Sequence, residues 1–387
     1  MIPDMKACDG SKTMSPENFE KMMEVGEKLI KRGDFDSISW RLSGGEPFLA
    51  FDMYKDIVRK WKEKMGWRYS FGVLTNLVTY TDEMAKWQKD LNIGMQVSLD
   101  DVYESKPLQN GKSSAEVTMQ NVQKAMINGV VFSFNTVLDV AKVKSLIPIA
   151  NFVSRFKNVE WGLNASYTMK DGAQANEAIK IFKECIGHLK SNGFDVWNKL
   201  RFYNAVPARH NGTCSAGIGS CSITPDLKVH SCQSMCDQEP LGDFDENLVK
   251  LLAESDGNKL FRDRTMLPTC CDCSILDYCR GSCRATYHDK EVTDQTCRIR
   301  REIFHYILGL YQNQNQNGNC NCNQHQNHCQ CQQCQNQSQS QQNQTQNQNH
   351  PRPDHGQSMV EHIEKYVSTL PRLEVETPEL DLVEEKK

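Results

Sequence analysis

Along the first half of the chain, apolar residues recur in two alternating rhythms. Phe19, Met22, Met23, Leu29 and Ile30 are spaced for one face of a helix, ended by Gly33. Ser15-Pro16-Glu17 precedes them as a helix start: a capping serine, proline at the first helical position, then an acidic residue. A strand-length run at 37–40 follows. Helices are then predicted at 54–65, after Asp82, at 115–127, around 143–156 and at 176–191. Strands are predicted between them at 69–74, 93–99, 130–137 and 159–163.

Strands that alternate with helices of this length build βαβ units and an α/β fold with a parallel sheet. Right-handed crossovers curl such a sheet toward a barrel, with functional residues at the carboxyl ends of the strands. Three polar motifs fall at those ends: Ser43-Gly44-Gly45-Glu46-Pro47, Thr75-Asn76 and Ser98-Leu99-Asp100.

From Arg201 to about Cys297 the rhythm is lost and the chain becomes loop-rich. So irregular a segment is expected to bury little apolar surface alone and to be stapled by metal centres. A helix at 298–310 closes it. Residues 311–350 are nearly all Gln and Asn, with Cys320, Cys322, Cys329, Cys331, Cys334, His325 and His328 interspersed; such a tract is expected to be disordered. One helical piece at 359–368 precedes an acidic end. Four units are therefore expected: 1–198, 199–311, a low-complexity linker at 312–357, and 358–387.

Length and charge narrow the function classes. A chain of 387 residues suits two to three domains. A net charge of −4 without a basic block gives no electrostatic footprint for nucleic acid. No apolar run approaches the roughly 20 residues of a membrane helix, and the N-terminus does not read as a signal peptide. A cytoplasmic protein is expected, and in that reducing compartment 17 cysteines fit metal centres better than disulfides.

The densest chemistry lies at Cys270, Cys273, Cys279 and Cys283, spaced C-x2-C-x5-C-x3-C. Cysteines three or four residues apart can turn their sulfurs toward one point, as zinc and iron–sulfur sites require. With Cys214, Cys221, Cys232 and Cys297 they make eight, enough for two four-iron clusters or for two zinc sites of four thiolates each.

The segment from Cys214 to Cys297 resembles the SPASM domain of radical S-adenosylmethionine (SAM) peptide-modifying enzymes, and the preceding half with Gly44-Gly45-Glu46-Pro47 resembles the radical SAM core. The resemblance covers about residues 15–311. It implies a partial (β/α)6 barrel followed by a small domain holding two auxiliary 4Fe-4S clusters. Cys214, Cys221, Cys232 and Cys283 would ligate one cluster; Cys270, Cys273, Cys279 and Cys297 would ligate the other. Gly44, Gly45, Glu46, Pro47, Thr75, Asn76, Ser98, Asp100 and Asn135 would line the SAM site, with Asn164 beside them. A peptide or protein substrate and an electron donor such as flavodoxin or ferredoxin are the implied partners.

The chain departs from the family in three places. Leu227 stands where a glycine usually makes the turn before Cys232, so that turn is expected to be made differently. Gln233 replaces the aspartate that sulfatase maturases carry after the corresponding cysteine, which turns the reading toward thioether or carbon–carbon crosslinking of a ribosomal peptide. Cys236 and Cys271 read as ordinary thiols. Most seriously, no C-x3-C-x2-C motif occurs, and the family's first strand has no counterpart. SAM and a third cluster would bind only if that piece were supplied. Three explanations compete: Met1 is internal to a longer product, the chain is a non-catalytic iron–sulfur or electron-transfer relative, or another polypeptide supplies the strand.

Overall fold

The computed structural model of the chain describes residues 13–100, 114–138, 145–156, 159–165, 172–202, 215–262, 270, 272–279, 285 and 294–318. Six parallel strands form one sheet in sequential order: β1 (Ile38–Leu42), β2 (Tyr69–Thr75), β3 (Gly94–Ser98), β4 (Phe132–Leu138), β5 (Trp161–Ala165) and β6 (Leu200–Phe202). The sheet does not close into a barrel. Helices α1 (Pro16–Arg32), α2 (Phe51–Met65), α3 (Asp82–Asp90), α4 (Ser114–Ile127), α5 (Leu146–Val153), α6 (Gly172–Ser191) and α7 (Val196–Lys199) occupy the stretches around and between the strands. The α1 start is capped as its sequence predicts: the Asn18 amide donates to Ser15 Oγ at 3.2 Å, and Gly33 ends the helix at φ 87°.

Strand side chains alternate between two very different surroundings. Trp40, Phe71, Val73, Met95, Val97, Phe134 and Trp161 are buried in the main core. The alternate positions Ser39, Arg41, Ser70 and Ser98 are exposed, and Gln96, Ser133, Asn135 and Arg201 are half-buried. Parallel sheets normally bury both faces. Here one face is polar.

Beyond β6 the chain forms a small antiparallel sheet of β7 (Ser222–Ile223), β8 (Lys228–His230) and β9 (Gly242–Asp243), then the short helices α8 (Leu248–Glu254), α9 (Lys259–Arg262) and α10 (Leu276–Cys279), and finally α11 (Asp294–Gly318). The small sheet docks on α1. Asn18 Nδ2 donates to the Pro225 carbonyl at 2.8 Å, Lys28 pairs with Glu246 at 2.8 Å, Arg32 donates to the Glu246 carbonyl, and Phe244 packs edge-on against Trp40.

Several expectations change. The 201–297 region is less dependent on metal staples than its irregular sequence implies, because Ile218, Leu227, Val229, Phe244, Leu248 and Leu252 join the main core. The sixth strand lies past the expected boundary at 198. Helix α11 runs to Gly318, eight residues into the tract read as unable to fold; a helix already nucleated on packed turns propagates through glutamines at little cost. The expected helix at 359–368 and the tail cysteines lie outside the described residues, as does the rest of the low-complexity linker.

The turn between β7 and β8 is made with a leucine in a conformation that favours glycine. Leu227 adopts the left-handed conformation (φ 61°), with its amide donating to Thr224 O at 2.9 Å. The leucine tolerates this because it is buried in the core, 6% exposed. Leu227→Gly relieves about 1–2 kcal/mol of backbone strain but loses about 2 kcal/mol of burial. Leu227→Ala loses most of that burial and keeps the strain. Urea unfolding should therefore rank Leu227→Gly above Leu227→Ala in stability, the reverse of the usual order.

Candidate functional site at the strand ends and the cysteine lobe

The sequence-predicted polar motifs converge at the carboxyl ends of β1 to β4. Gly44 has φ 142°, a conformation that favours glycine, and a side chain at Gly44 or Gly45 would meet nothing within 4 Å. The loop is thus open to a ligand at its backbone. Glu46 turns inward. Its Oε1 accepts from Thr75 Oγ1 at 2.7 Å and from the Phe48 amide at 3.2 Å, and its Oε2 accepts from the Asn76 amide at 2.8 Å. This one carboxylate caps the 3-10 turn Pro47–Ala50 and ties the end of β1 to the end of β2. Glu46 and Thr75 are therefore braces of the loop.

The loop after β2 is anchored from behind. Thr118 Oγ1 donates to the Asn76 carbonyl at 2.7 Å and Asn121 Nδ2 to the Leu77 carbonyl at 2.7 Å, both from α4. At the next strand end, Asp100 Oδ1 accepts from the Val137 amide at 2.8 Å, joining β3 to β4. Thr136 Oγ1 donates to the Leu99 carbonyl at 2.7 Å and accepts from Trp161 Nε1 at 2.8 Å. Ser98 lies opposite Asn135 in register and is exposed. Asn135 Oδ1 lies over Gly162, where a Cβ would come within 2.9 Å of it. Asn164 takes the next register position on β5, opposite Val137.

Sequence reasoning missed Arg41. Its side chain lies across Gly72 on the polar face, with Cδ 3.2 Å from where a Cβ would stand. The period-two alternation with Trp40 was the available signal. Arg201, paired with Glu160 at 2.9 Å, carries a second guanidinium at the other edge of the sheet.

In the cysteine lobe, Cys214, Cys283 and Cys271 lie outside the described residues. Cys221 and Cys232 flank the β7–β8 hairpin, and burial pushes the Cys221 thiol up to about 12. Cys236 donates to Ser222 Oγ at 3.4 Å, consistent with an ordinary thiol. All four members of the other set are described. Cys270 is buried; Cys273 and Cys279 pack with Ile275, Phe304 and Leu308. Burial pushes the Cys297 thiol up. Arg300 opposes that shift, the neighbouring Cys270 and Cys279 reinforce it, and Arg301 again opposes it.

Among the described residues no three His, Cys, Asp or Glu side chains are gathered tightly enough to hold a metal ion. Cys297 lies within electrostatic range of Cys270 and Cys279, but as placed these four thiols do not form a closed four-thiolate site. Arg300, only 2% exposed, donates from Nη1 to Cys279 Sγ at 3.8 Å. Sequence reasoning missed Arg300 as well, although its place one helical turn after Cys297 was visible.

No family model matches the chain. A protein of Methanothermobacter thermautotrophicus is 32% identical over 111 residues, which is 28% of this chain and 42% of that relative. No helix among the described residues is long and apolar enough to cross a membrane. Among solved structures, anSMEcpe with bound AdoMet is similar at TM-score 0.61 and 17% identity, over 79% of this chain and 91% of that one. The anSMEcpe complex with AdoMet and the Kp18Cys peptide gives TM-score 0.62 and 16% identity over the same shares. Streptococcus suis SuiB bound to S-adenosylmethionine gives TM-score 0.50 and 14% identity, over 72% and 68%. The chain therefore shares the α/β fold of these AdoMet-bound proteins.

Proposed function

We propose that the chain is a radical SAM protein of the peptide-maturase type, inactive by itself because it contains no C-x3-C-x2-C motif, its strand-end loops binding SAM once that piece is supplied and its cysteine lobe holding two auxiliary 4Fe-4S clusters. The observation that carries the reading is the polar face of a parallel sheet, a surface that such sheets rarely leave uncovered, opening beside the braced Gly44-Gly45 loop. The similarity to structures that hold AdoMet, one of them with a peptide, supports it.

Gly44 and Gly45 present backbone to the methionine end of SAM, Glu46 holds them there, and Ser98 and Asn135 offer hydrogen bonds deeper on the face. Cys214, Cys221, Cys232 and Cys283 hold one centre; Cys270, Cys273, Cys279 and Cys297 hold the other. With SAM bound and a third cluster held on a supplied C-x3-C-x2-C segment to deliver one electron, the cofactor pair would supply methionine and a carbon radical able to take a hydrogen atom from the substrate, and the auxiliary clusters would carry electrons. Gln233 in place of an aspartate base favours a thioether or carbon–carbon crosslink in a ribosomal peptide over sulfatase maturation.

The lack of a C-x3-C-x2-C motif in the sequence favours a second reading, a non-catalytic iron–sulfur or electron-transfer relative. Anaerobic reconstitution, followed by iron and sulfide analysis, equilibrium dialysis with SAM and assay for deoxyadenosine, separates the two. About eight irons per chain, with SAM bound and cleaved once a polypeptide carrying a C-x3-C-x2-C motif is added, is the expected result. Bound zinc without visible charge-transfer absorption would overturn both readings. Iron without SAM binding would leave the electron carrier.

A further inference from the structure

The polar face of the main sheet has charge only at its two edges. On the central strands its polar side chains are uncharged hydroxyls and amides, Ser70, Gln96, Ser98, Ser133 and Asn135. At the β6 edge Arg201 is committed to Glu160, donating from Nη2 at 2.9 Å and from Nε at 3.3 Å. At the β1 edge Arg41 is exposed, and among the described residues no carboxylate pairs with it. Glu46, past the end of the same strand, already serves three donors. The face is therefore left with one cation that nothing balances.

Strand register sets a bare floor beside that cation. Arg41 lies opposite Gly72, and Gly72 lies opposite Gly94, so β2 and β3 project no side chain at this level. An added Cβ at Gly94 would meet only the Val131 carbonyl, at 3.6 Å. Over Gly72 the space is taken by Arg41 itself, with Cδ 3.2 Å and Cζ 3.3 Å from where a Cβ would stand. The guanidinium thus reaches sideways over β2, toward the open floor on β3. A strand rise of about 3.3 Å per residue puts Arg41 roughly 10 Å before Gly44. Since its side chain spends its length across the sheet, the methionine end of SAM is left to the Gly44-Gly45 loop.

We infer that Arg41 is a specificity residue of the polar face, and that it receives an Asp or Glu carboxylate of the peptide substrate. The inference rests on the peptide-maturase reading of this face. A guanidinium offers a carboxylate two parallel N–H donors, a geometry that an ammonium does not reproduce. The neighbouring hydroxyls and amides can complete the carboxylate's hydrogen bonds without adding a competing negative charge.

The test passes a mixture of heptapeptides over the immobilised, reconstituted full chain and sequences those retained. The peptides are acetylated and amidated, so that only side chains carry charge. Wild type should retain peptides with Asp or Glu at one position about tenfold over their Asn or Gln counterparts, the size of one charge-assisted hydrogen bond. Arg41→Gln should abolish the preference and Arg41→Lys should keep part of it. Gly72→Ala keeps the charge but fills the seat of the guanidinium, and should lose the preference as well. Thermal unfolding of the Arg41 variants should match wild type, since the side chain is exposed. No acidic preference in wild type, or one that survives Arg41→Gln, would overturn the inference. So would a loss of SAM affinity in Arg41→Gln, measured with a C-x3-C-x2-C segment supplied, while peptide retention stays the same; the cation would then serve SAM. If wild type binds neither iron nor SAM, the maturase reading fails, and an acidic preference lost in Arg41→Gln would leave the carboxylate site standing without it.

Discussion

Gly217→Ala should be the most damaging single-methyl change in the cysteine lobe, costing about 4 kcal/mol. Gly217 has φ 69°, and an added Cβ would run into Asn258 Oδ1 and stand 2.7 Å from Phe261 Cβ. Asn258 is fully buried. Its Oδ1 accepts from Ser231 Oγ at 2.7 Å, and its Nδ2 donates to the Gly217 and Leu252 carbonyls at 2.6 Å each. The Gly217 amide itself donates to the Ser220 and Ser231 carbonyls. The methyl therefore adds roughly 1–2 kcal/mol of backbone strain to the loss of buried hydrogen bonds at roughly 1 kcal/mol or more each. Gly193→Ala isolates the first part, because Gly193 has φ 76° with nothing within 4 Å of an added Cβ. It should cost about 1 kcal/mol. Since this network spaces Cys221 from Cys232, Gly217→Ala should also lower iron content toward about four per chain, whereas Gly193→Ala should retain about eight. Thermal unfolding and iron analysis of both variants check the difference. Equal losses would show that the Asn258 network does not hold the hairpin.

What the sequence discloses and what it hides divide along physical lines. Five strands and most helices were legible because burial of one face imposes a period, and period survives without knowledge of partners. β6 was not, since three residues carry too little pattern and its place is set by pairing with β5. The motifs at the strand ends were legible as positions, because a parallel sheet puts its strand termini at one rim. Their roles were not. A glutamate after two glycines reads as a ligand contact, and the distances to Thr75, Phe48 and Asn76 add the role of a brace. Leu227 shows the same limit from the other side: a missing glycine implied a different turn, yet core burial held a leucine in the left-handed conformation. Arg41 and Arg300 escaped notice because single charged residues look like solvated surface until a glycine across the strand, or a thiol across the helix, shows what they lie against.

Glu46→Ala should weaken SAM binding more than any other change at the strand ends, by about 100-fold, and lower stability by about 3 kcal/mol. The carboxylate is one charged acceptor serving three donors on two strands' loops, and bonds to charged acceptors contribute roughly 1.5–3 kcal/mol each, discounted here because the residue is half-exposed. Without it the Asn76 and Phe48 amides and the Thr75 hydroxyl lose their common partner, and the Gly44-Gly45 loop loses this brace toward β2. Every 1.4 kcal/mol of lost preorganisation is tenfold in affinity. Glu46→Gln separates charge from shape. Its amide oxygen can still accept from either Thr75 and Phe48 or Asn76, but its NH2 then confronts a donor on the other side. It should therefore fall between wild type and Glu46→Ala in both SAM affinity and unfolding temperature. Equilibrium dialysis with labelled SAM, on anaerobic preparations supplied with a C-x3-C-x2-C segment and run beside thermal unfolding, reads both effects. Unchanged SAM affinity in Glu46→Ala, with the stability loss present, would mean that the braced loop is a structural corner and the ligand lies elsewhere on the polar face.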